Sequence, residues 1–422
     1  MYKRAELNNG LKIITYNMPN MQSVALGIWI RVGGRYENDQ NKGISHFLEH
    51  IVFKGSKKYS CRSIKESIEG IGGTLNGFTS EELTCYLVKI PGRYLESALD
   101  VLSDMVINPK MPRQDTEKEK TVILEEIKMY KDLPQSYVYE LLDELLWPKQ
   151  PLGAPIIGTV DSVRQINREQ LFSFKEKFYL PSNIVISAAG TLDNKKLIKG
   201  IMKIFKGEKG RGANRFSGAT QIQGRTQIKL LYKDTEQTHM ALGFHSFERE
   251  HPLKHALGLL HIILGANMSS RLFNELREKR GLAYEIGTLV RRFQDAGAFV
   301  VHAGIDNHRV IDAVQLILKE LRKIKVGLVS KDEFRRAKEF YLGQLMLALE
   351  DTLDHMLWIG ENTALLDKTY SLLDIINEVN KIKREDIRKV AGLIFKKDKL
   401  NLALIGPLKG AAGKINNKLY LE

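Results

Sequence analysis

Residues Gly43-Ile44-Ser45-His46-Phe47-Leu48-Glu49-His50 reappear in altered form as Gly258-Leu259-Leu260-His261-Ile262-Ile263-Leu264-Gly265. Glycine leads both octets, histidine is fourth in both, and apolar residues fill matching places. The flanking elements repeat in the same order. Alternating strands at Leu11–Tyr16 and Val24–Val32 precede the first octet, and strands at Gln227–Tyr232 and Met240–Phe244 precede the second, whose helix starts at about Pro252. A strand pair and helix over 72–107 answers one over 281–323. Long helices at 115–131 and 332–350 correspond, with Gly343 where the first copy has Glu126. Closing strands Ile186–Gly190 and Leu402–Gly406 both end in glycine. Between the copies, 207–225 is glycine-rich, polar and without periodicity, as a linker is. The expected fold class is therefore α+β: two duplicated α/β units, each a mainly antiparallel sheet packed with helices. The domains are 1–206 and 226–422, joined by the linker 207–225.

A chain of 422 residues suits two such domains, and 43% hydrophobic with 27% charged residues is ordinary for a globular protein. No apolar run reaches the eighteen or so residues of a membrane span, and the start lacks a signal-peptide core. A cytoplasmic location without membrane contact is expected. The two cysteines, Cys61 and Cys85, are expected as buried thiols rather than a disulfide. The net charge of +14, pI about 9.4, is spread along the chain without a repeated basic-aromatic pattern, so no nucleic-acid partner is expected.

In the first octet, His46 and His50 are four apart and Glu49 is three beyond His46, so all three project from one side of a helix. Neutral imidazoles are good zinc ligands, and a carboxylate beside a metal-bound water can take its proton. The order His-x-x-Glu-His is the inverse of the metalloprotease His-Glu-x-x-His. Catalytic zinc normally has three protein ligands, and a carboxylate is the expected third. The helix Glu117–Tyr130 offers Glu117, Glu119, Glu125 and Glu126. Glu119 and Glu126, seven apart, share a face with Val122 and Ile123, read as the inward face. A glutamate there needs a charge partner, which a metal supplies. Glu117 and Glu125 read as solvated helix glutamates.

The run from Gly43 to Ser56, Gly-Ile-Ser-His-Phe-Leu-Glu-His-Ile-Val-Phe-Lys-Gly-Ser, resembles the active-site segment of the pitrilysin/insulysin family. It is most similar to the branch holding the mitochondrial processing peptidase β subunit and its bacterial relatives, and the likeness covers nearly the whole chain. The resemblance implies that His46, His50 and Glu126 bind one zinc ion per chain, that Glu119 supports the site, and that Glu49 is the general base. Gly72-Gly73-Thr74-Leu75-Asn76-Gly77-Phe78-Thr79-Ser80 resembles the edge strand that holds an extended peptide, which makes Asn76 and Thr79 substrate-binding. Alanine is common in the family where this chain has Gly77. Arg277 and Tyr284 match a second-half pair that aligns the peptide and hydrogen-bonds near the scissile carbonyl; without the resemblance they read as a surface arginine and a half-buried strand tyrosine. Where relatives often have several glycines, Leu264-Gly265-Ala266-Asn267-Met268 departs.

The expected function is a zinc-dependent endopeptidase acting on extended or unstructured peptides, with the first half catalytic and the second a degenerate substrate-binding repeat. The alternative is a non-catalytic structural subunit of a processing-peptidase-like complex, though such subunits lose motif residues that this chain keeps. The resemblance further implies a clamshell architecture and paired chains, as a homodimer or with a related subunit. Glu140, Asp143 and Glu144 could form a local acidic subsite. The remaining histidines are read as non-ligands: His251 and His255 as surface or capping residues, His239 and His245 as alternating strand positions, His302 and His308 as flanking a turn. Met240, Met268, Met346 and Met356 are read as core filler.

Overall fold

In the strands Ser23–Ile30 and Gln237–Ser246, large apolar residues recur at every second position, Val24 to Ile30 and Met240 to Phe244, and the residues between them are buried too. The computed structural model describes residues 2–207, 210, 212, 215–409, 415 and 419, so part of the 207–225 linker lies outside the described residues. The first half contains β1 (Lys3–Glu6), β2 (Lys12–Asn17), β3 (Ser23–Ile30), α1 (Ile44–Val52), α2 (Cys61–Glu69), β4 (Thr74–Thr79), β5 (Thr84–Pro91) and α3 (Leu95–Ile107). It continues with α4 (Arg113–Asp132), α5 (Pro134–Leu146), α6 (Val160–Gln165), α7 (Arg168–Phe178), β6 (Ile184–Gly190) and α8 (Asn194–Phe205). The second half contains β7 (Gln227–Tyr232), β8 (Gln237–Ser246), α9 (Lys254–Gly265), β9 (Ala283–Arg292), β10 (Gly297–Asp306), α10 (Val310–Val326) and α11 (Lys331–Ala348). It ends with α12 (Thr352–Leu366), α13 (Leu372–Lys381), α14 (Arg384–Ile394) and β11 (Asn401–Gly406).

Among the described residues there are two sheets, ordered β1-β2-β6-β3-β5-β4 and β7-β11-β8-β10-β9. Apart from the extra β1, they share one topology. β2 pairs parallel with β6 as β7 does with β11, and the other pairings are antiparallel. This is the duplicated α+β architecture that the repeated octets imply.

The chain forms two compact units that do not follow its halves residue for residue. Unit 1 comprises 1–128, 154–217 and 346–370, and unit 2 comprises 129–153, 218–345 and 371–422. Hence α5, from the first half, belongs to unit 2, and α12, from the second half, belongs to unit 1. In unit 1, Val24, Leu26, Ile28 and Ile30 of β3 face the core under α1, α3 and α7, while Ala25 and Trp29 pack against Met356 and Ile359 of α12. In unit 2, Met240, Leu242 and Phe244 of β8 face the main core, and Ala241 packs with Leu141 and Leu142 of α5. Small residues allow the close approach: a Cβ on Gly27 would lie 2.6 Å from Met356 Sδ, and one on Gly243 2.9 Å from both Leu142 methyls. The described ends of the linker are tied down separately. Phe216 packs on Tyr36 and under Arg35 in unit 1, and Ala219 and Thr220 bond to Asp295 and Gln150 in unit 2.

Several expectations need correcting. Cys85 is a buried free thiol, but Cys61, at the start of α2, is only half-buried. Met240 and Met356 fill cores, whereas Met268 is 75% and Met346 41% exposed. Among the described residues, no helix is long and apolar enough to cross a membrane.

Candidate metal centre

α1 is preceded by its N-cap Gly43, whose φ of +88° lies in the left-handed region, and a Cβ there would sit 2.5 Å from the Ile157 carbonyl oxygen. The open backbone donors at this helix start are met by Glu37, whose carboxylate accepts from the Gly43 N–H at 2.7 Å and the Ser45 N–H at 2.8 Å. Burial pushes the Glu37 carboxyl up to about 7, against those bonds, which lower it. Nothing in the sequence singles out Glu37. An acid six residues before the N-cap matches no capping signature, and only the returning loop brings it there. Along α1, Phe47, Leu48 and Ile51 enter the core, which leaves His46, Glu49 and His50 on the remaining side.

α4 supplies the facing carboxylates. Its buried stripe is Thr116, Glu119, Ile123 and Ile127. Glu126 lies on the flank of that stripe, and Val122 lies one step further round, 50% exposed, contrary to the inward position expected of it. Each residue turns the helix by roughly 100°, which carries Val122 past the edge of a stripe centred on Ile123. Glu117 and Glu125 are exposed and pair with Lys120 and Lys128, as solvated helix glutamates do.

The structure brings together the donors of His46, His50 and Glu126, all within 4.8 Å of one another. Glu126 Oε2 lies 3.6 Å from His50 Nε2 and 3.9 Å from His46 Nε2, too far for hydrogen bonds, and it is buried with no hydrogen-bond partner. Two imidazole nitrogens and an otherwise orphaned carboxylate oxygen converging on one point fit a zinc ion with bonds of about 2 Å. The protonation state of His46 suits this. Burial, with His50 alongside, pulls His46 down to about 3, so its imidazole stays neutral. Burial also lowers His50, but the Glu119 hydrogen bond and the nearby carboxylates outweigh it and raise His50 overall. Burial raises Glu126. Glu119, 5% exposed, accepts from His50 Nδ1 at 2.9 Å, which aims His50 Nε2 at Glu126. Burial raises the Glu119 carboxyl, but its bonds to His50 and Lys54 leave it below its usual value.

Glu49 stands beside the two histidines and is nearly buried. Burial raises its carboxyl, partly offset by a hydrogen bond from Thr79 Oγ1 to Glu49 Oε2 at 2.7 Å. Thr79, expected to contact substrate, therefore holds the Glu49 carboxylate. β4 is the edge strand, as its likeness suggested, with Asn76 exposed on it. Gly77 faces Glu49: a Cβ there would lie 3.1 Å from the Phe53 ring and 3.3 Å from Glu49 Cγ, so the bare backbone leaves room for both.

The second octet, on α9 of unit 2, is filled. A Cβ on Gly265, at the position matching His50, would meet Thr288 at 2.7 Å, and Thr288 Oγ1 is bonded to His261 Nδ1 at 2.7 Å. Arg277 and Tyr284 are neighbours in unit 2, with the guanidinium 5.1 Å from the tyrosine ring centre. Tyr284 is 74% exposed, not half-buried. Asp143 and Glu144 are ion-paired to Arg291 and Lys229, so they do not form a free acidic subsite with Glu140. His251 accepts from the Leu253 N–H as a capping residue, but His255 is buried between Tyr341 and Glu378, and His302 lies within β10.

The chain matches the family description "Insulinase (Peptidase family M16)" over residues 12–160 and "Peptidase M16 inactive domain" over 165–341, the second match covering the filled octet. It is 37% identical to an uncharacterised zinc protease, YmxG, of Bacillus subtilis over 96% of this chain and 98% of that protein. It is 34% identical to an uncharacterised zinc protease, SCO5738, of Streptomyces coelicolor over 96% of this chain and 90% of that one. Its fold matches the crystal structure of a protease from Helicobacter pylori with a TM-score of 0.91, at 22% identity, covering 96% and 99% of the two chains. With the His46-x-x-Glu49-His50 helix facing Glu126, these similarities place the chain in the insulinase family of peptidases, family M16.

Proposed function

We propose that this chain is a zinc-dependent endopeptidase whose substrates are extended or unstructured peptides. One observation carries the reading: the buried, unpartnered Glu126 Oε2 faces both His46 Nε2 and His50 Nε2, with Glu49 beside them. Zinc held there would supply a Lewis acid that makes water nucleophilic near neutral pH and polarises the peptide carbonyl. Glu49 takes the proton from the attacking water and returns it to the leaving amine. Thr79 fixes one Glu49 oxygen, so the other is the one that moves the proton. Burial raises the Glu49 carboxyl towards the working pH, where a base can also act as the acid of the second step. Backbone pairing along the β4 edge would fix the peptide register independently of side chains, with Asn76 as a contact. Arg277 and Tyr284 are proposed to align the peptide and bind its carbonyl. Pairing of chains is proposed on resemblance alone; sedimentation at twice 48.0 kDa is the expected result.

Glu49→Gln tests the reading directly. The variant is expected to bind zinc like the parent but to lose peptide cleavage by several orders of magnitude, measured on a peptide library with zinc and with a chelator. Undiminished cleavage by Glu49→Gln would overturn it. A parent protein that takes up no zinc would favour the non-catalytic scaffold.

A further inference from the structure

We propose that Lys54 is a positioning residue of the metal centre, holding Glu119 in the one orientation that presents the His50 ring to the metal. The proposal rests on the reading of His46, His50 and Glu126 as zinc ligands. Lys54 Nζ lies 2.6 Å from Glu119 Oε2, while Glu119 Oε1 is bonded to His50 Nδ1 at 2.9 Å. Both carboxylate oxygens are thus used, one for the ligand and one for the lysine. Glu119 is 5% exposed, so water cannot replace either partner cheaply. A carboxylate held at one oxygen only can rotate about its terminal bond, and a ring aimed by it would rotate too. Lysine at this point closes that freedom.

The backbone delivers Lys54 to this place independently of the carboxylate. α1 ends at Val52, and the Lys54 N–H still donates to the Ile51 carbonyl at 3.1 Å, continuing the helix turn that carries His50. The following residues are fastened to the end of α3. Asp104 Oδ2 accepts from Ser56 Oγ at 2.6 Å and from the Lys58 N–H at 2.8 Å, and the Lys110 N–H donates to the Gly55 carbonyl at 3.0 Å. The Phe53-Lys54-Gly55-Ser56 stretch after the histidines is thereby held in place, and from it the lysine side chain crosses from the end of α1 to the buried glutamate of α4. The Lys54 side chain is 34% exposed, so a plain surface ion pair is the competing account. Such a pair would add little and would leave the metal untouched.

The test is zinc affinity, measured by competition with a chelator using zinc alone, on the full chain with folding checked by circular dichroism. Lys54→Met is expected to weaken zinc binding about tenfold, the low end for loss of an outer partner, and Lys54→Arg to stay within about threefold of the parent. Lys54→Met added to Glu119→Gln should weaken binding no further than Glu119→Gln alone, because the two act through one path. Parent-like zinc affinity in Lys54→Met, or losses that multiply in the double variant, would overturn the proposal while leaving the zinc site itself standing. A parent chain without zinc affinity would overturn both.

Discussion

At the scale of single residues, chemistry is divided between atoms that could face a metal and atoms that hold them in place. Glu126→Gln removes the one orphaned carboxylate oxygen at the centre, and isothermal titration with zinc should show a loss beyond the about 10–100-fold typical of an outer partner. Glu125→Gln, altering an exposed glutamate paired with Lys128, should change zinc affinity by less than about twofold. Thr79 holds Glu49, the proposed base, rather than one of the proposed metal ligands. Its hydrogen bond favours the ionised Glu49 and so lowers a carboxyl that burial raises. Thr79→Val should move the Glu49 carboxyl still higher. Cleavage, which needs the ionised base, should then fall off at a higher pH as the solution is acidified. A charged hydrogen bond of about 1.5 kcal/mol predicts a shift of roughly 1 unit in the acid limb of kcat/KM. An unshifted limb would mean that Thr79 does not hold the base during turnover. The motif made His46, Glu49 and His50 legible. Glu37 and the bond made by Thr79 were not, since both depend on loops and strands meeting far from their own sequence positions.

At the scale of elements, one device is used twice. β3 and β8 each bury both faces, and a helix packs closely where the second face carries a glycine, Gly27 in β3 and Gly243 in β8. Gly243→Val tests this in unit 2. Its branched side chain would collide with Leu142 of α5, and overpacking of this kind costs about 1–3 kcal/mol. The urea midpoint should fall accordingly, and an unchanged midpoint would show that α5 can shift at no cost. The alternation in β3 and β8 was readable as strand. That both faces are buried was not, because the covering helix comes from the other half of the chain. The same limit explains Val122: a periodic pattern shows that a helix has an apolar stripe, but the stripe's centre depends on what packs against it.

At the scale of the whole molecule, duplication and exchange go together. Each unit contains a helix from the opposite half of the chain, α12 in unit 1 and α5 in unit 2. A chain cut at residue 206 therefore keeps His46, His50 and Glu126 but lacks α12, which leaves Ala25 and Trp29 of β3 without cover. Such a fragment should bind the dye ANS and unfold without a cooperative transition, whereas the full chain should not bind the dye. A cooperatively folded 1–206 would show that α12 is dispensable.

The order of elements, their repetition, the helix carrying His46-x-x-Glu49-His50 and the degraded second octet follow from the sequence alone, because apolar periodicity and residue spacing along one helix are local properties. Tertiary structure decided the rest. It left Glu126 Oε2 unpartnered opposite two imidazoles, turned Thr79 onto Glu49, filled the space at Gly265 with Thr288, and assigned α5 and α12 to opposite units. Each of these depends on which distant surfaces meet, and burial free energy is settled only when they do.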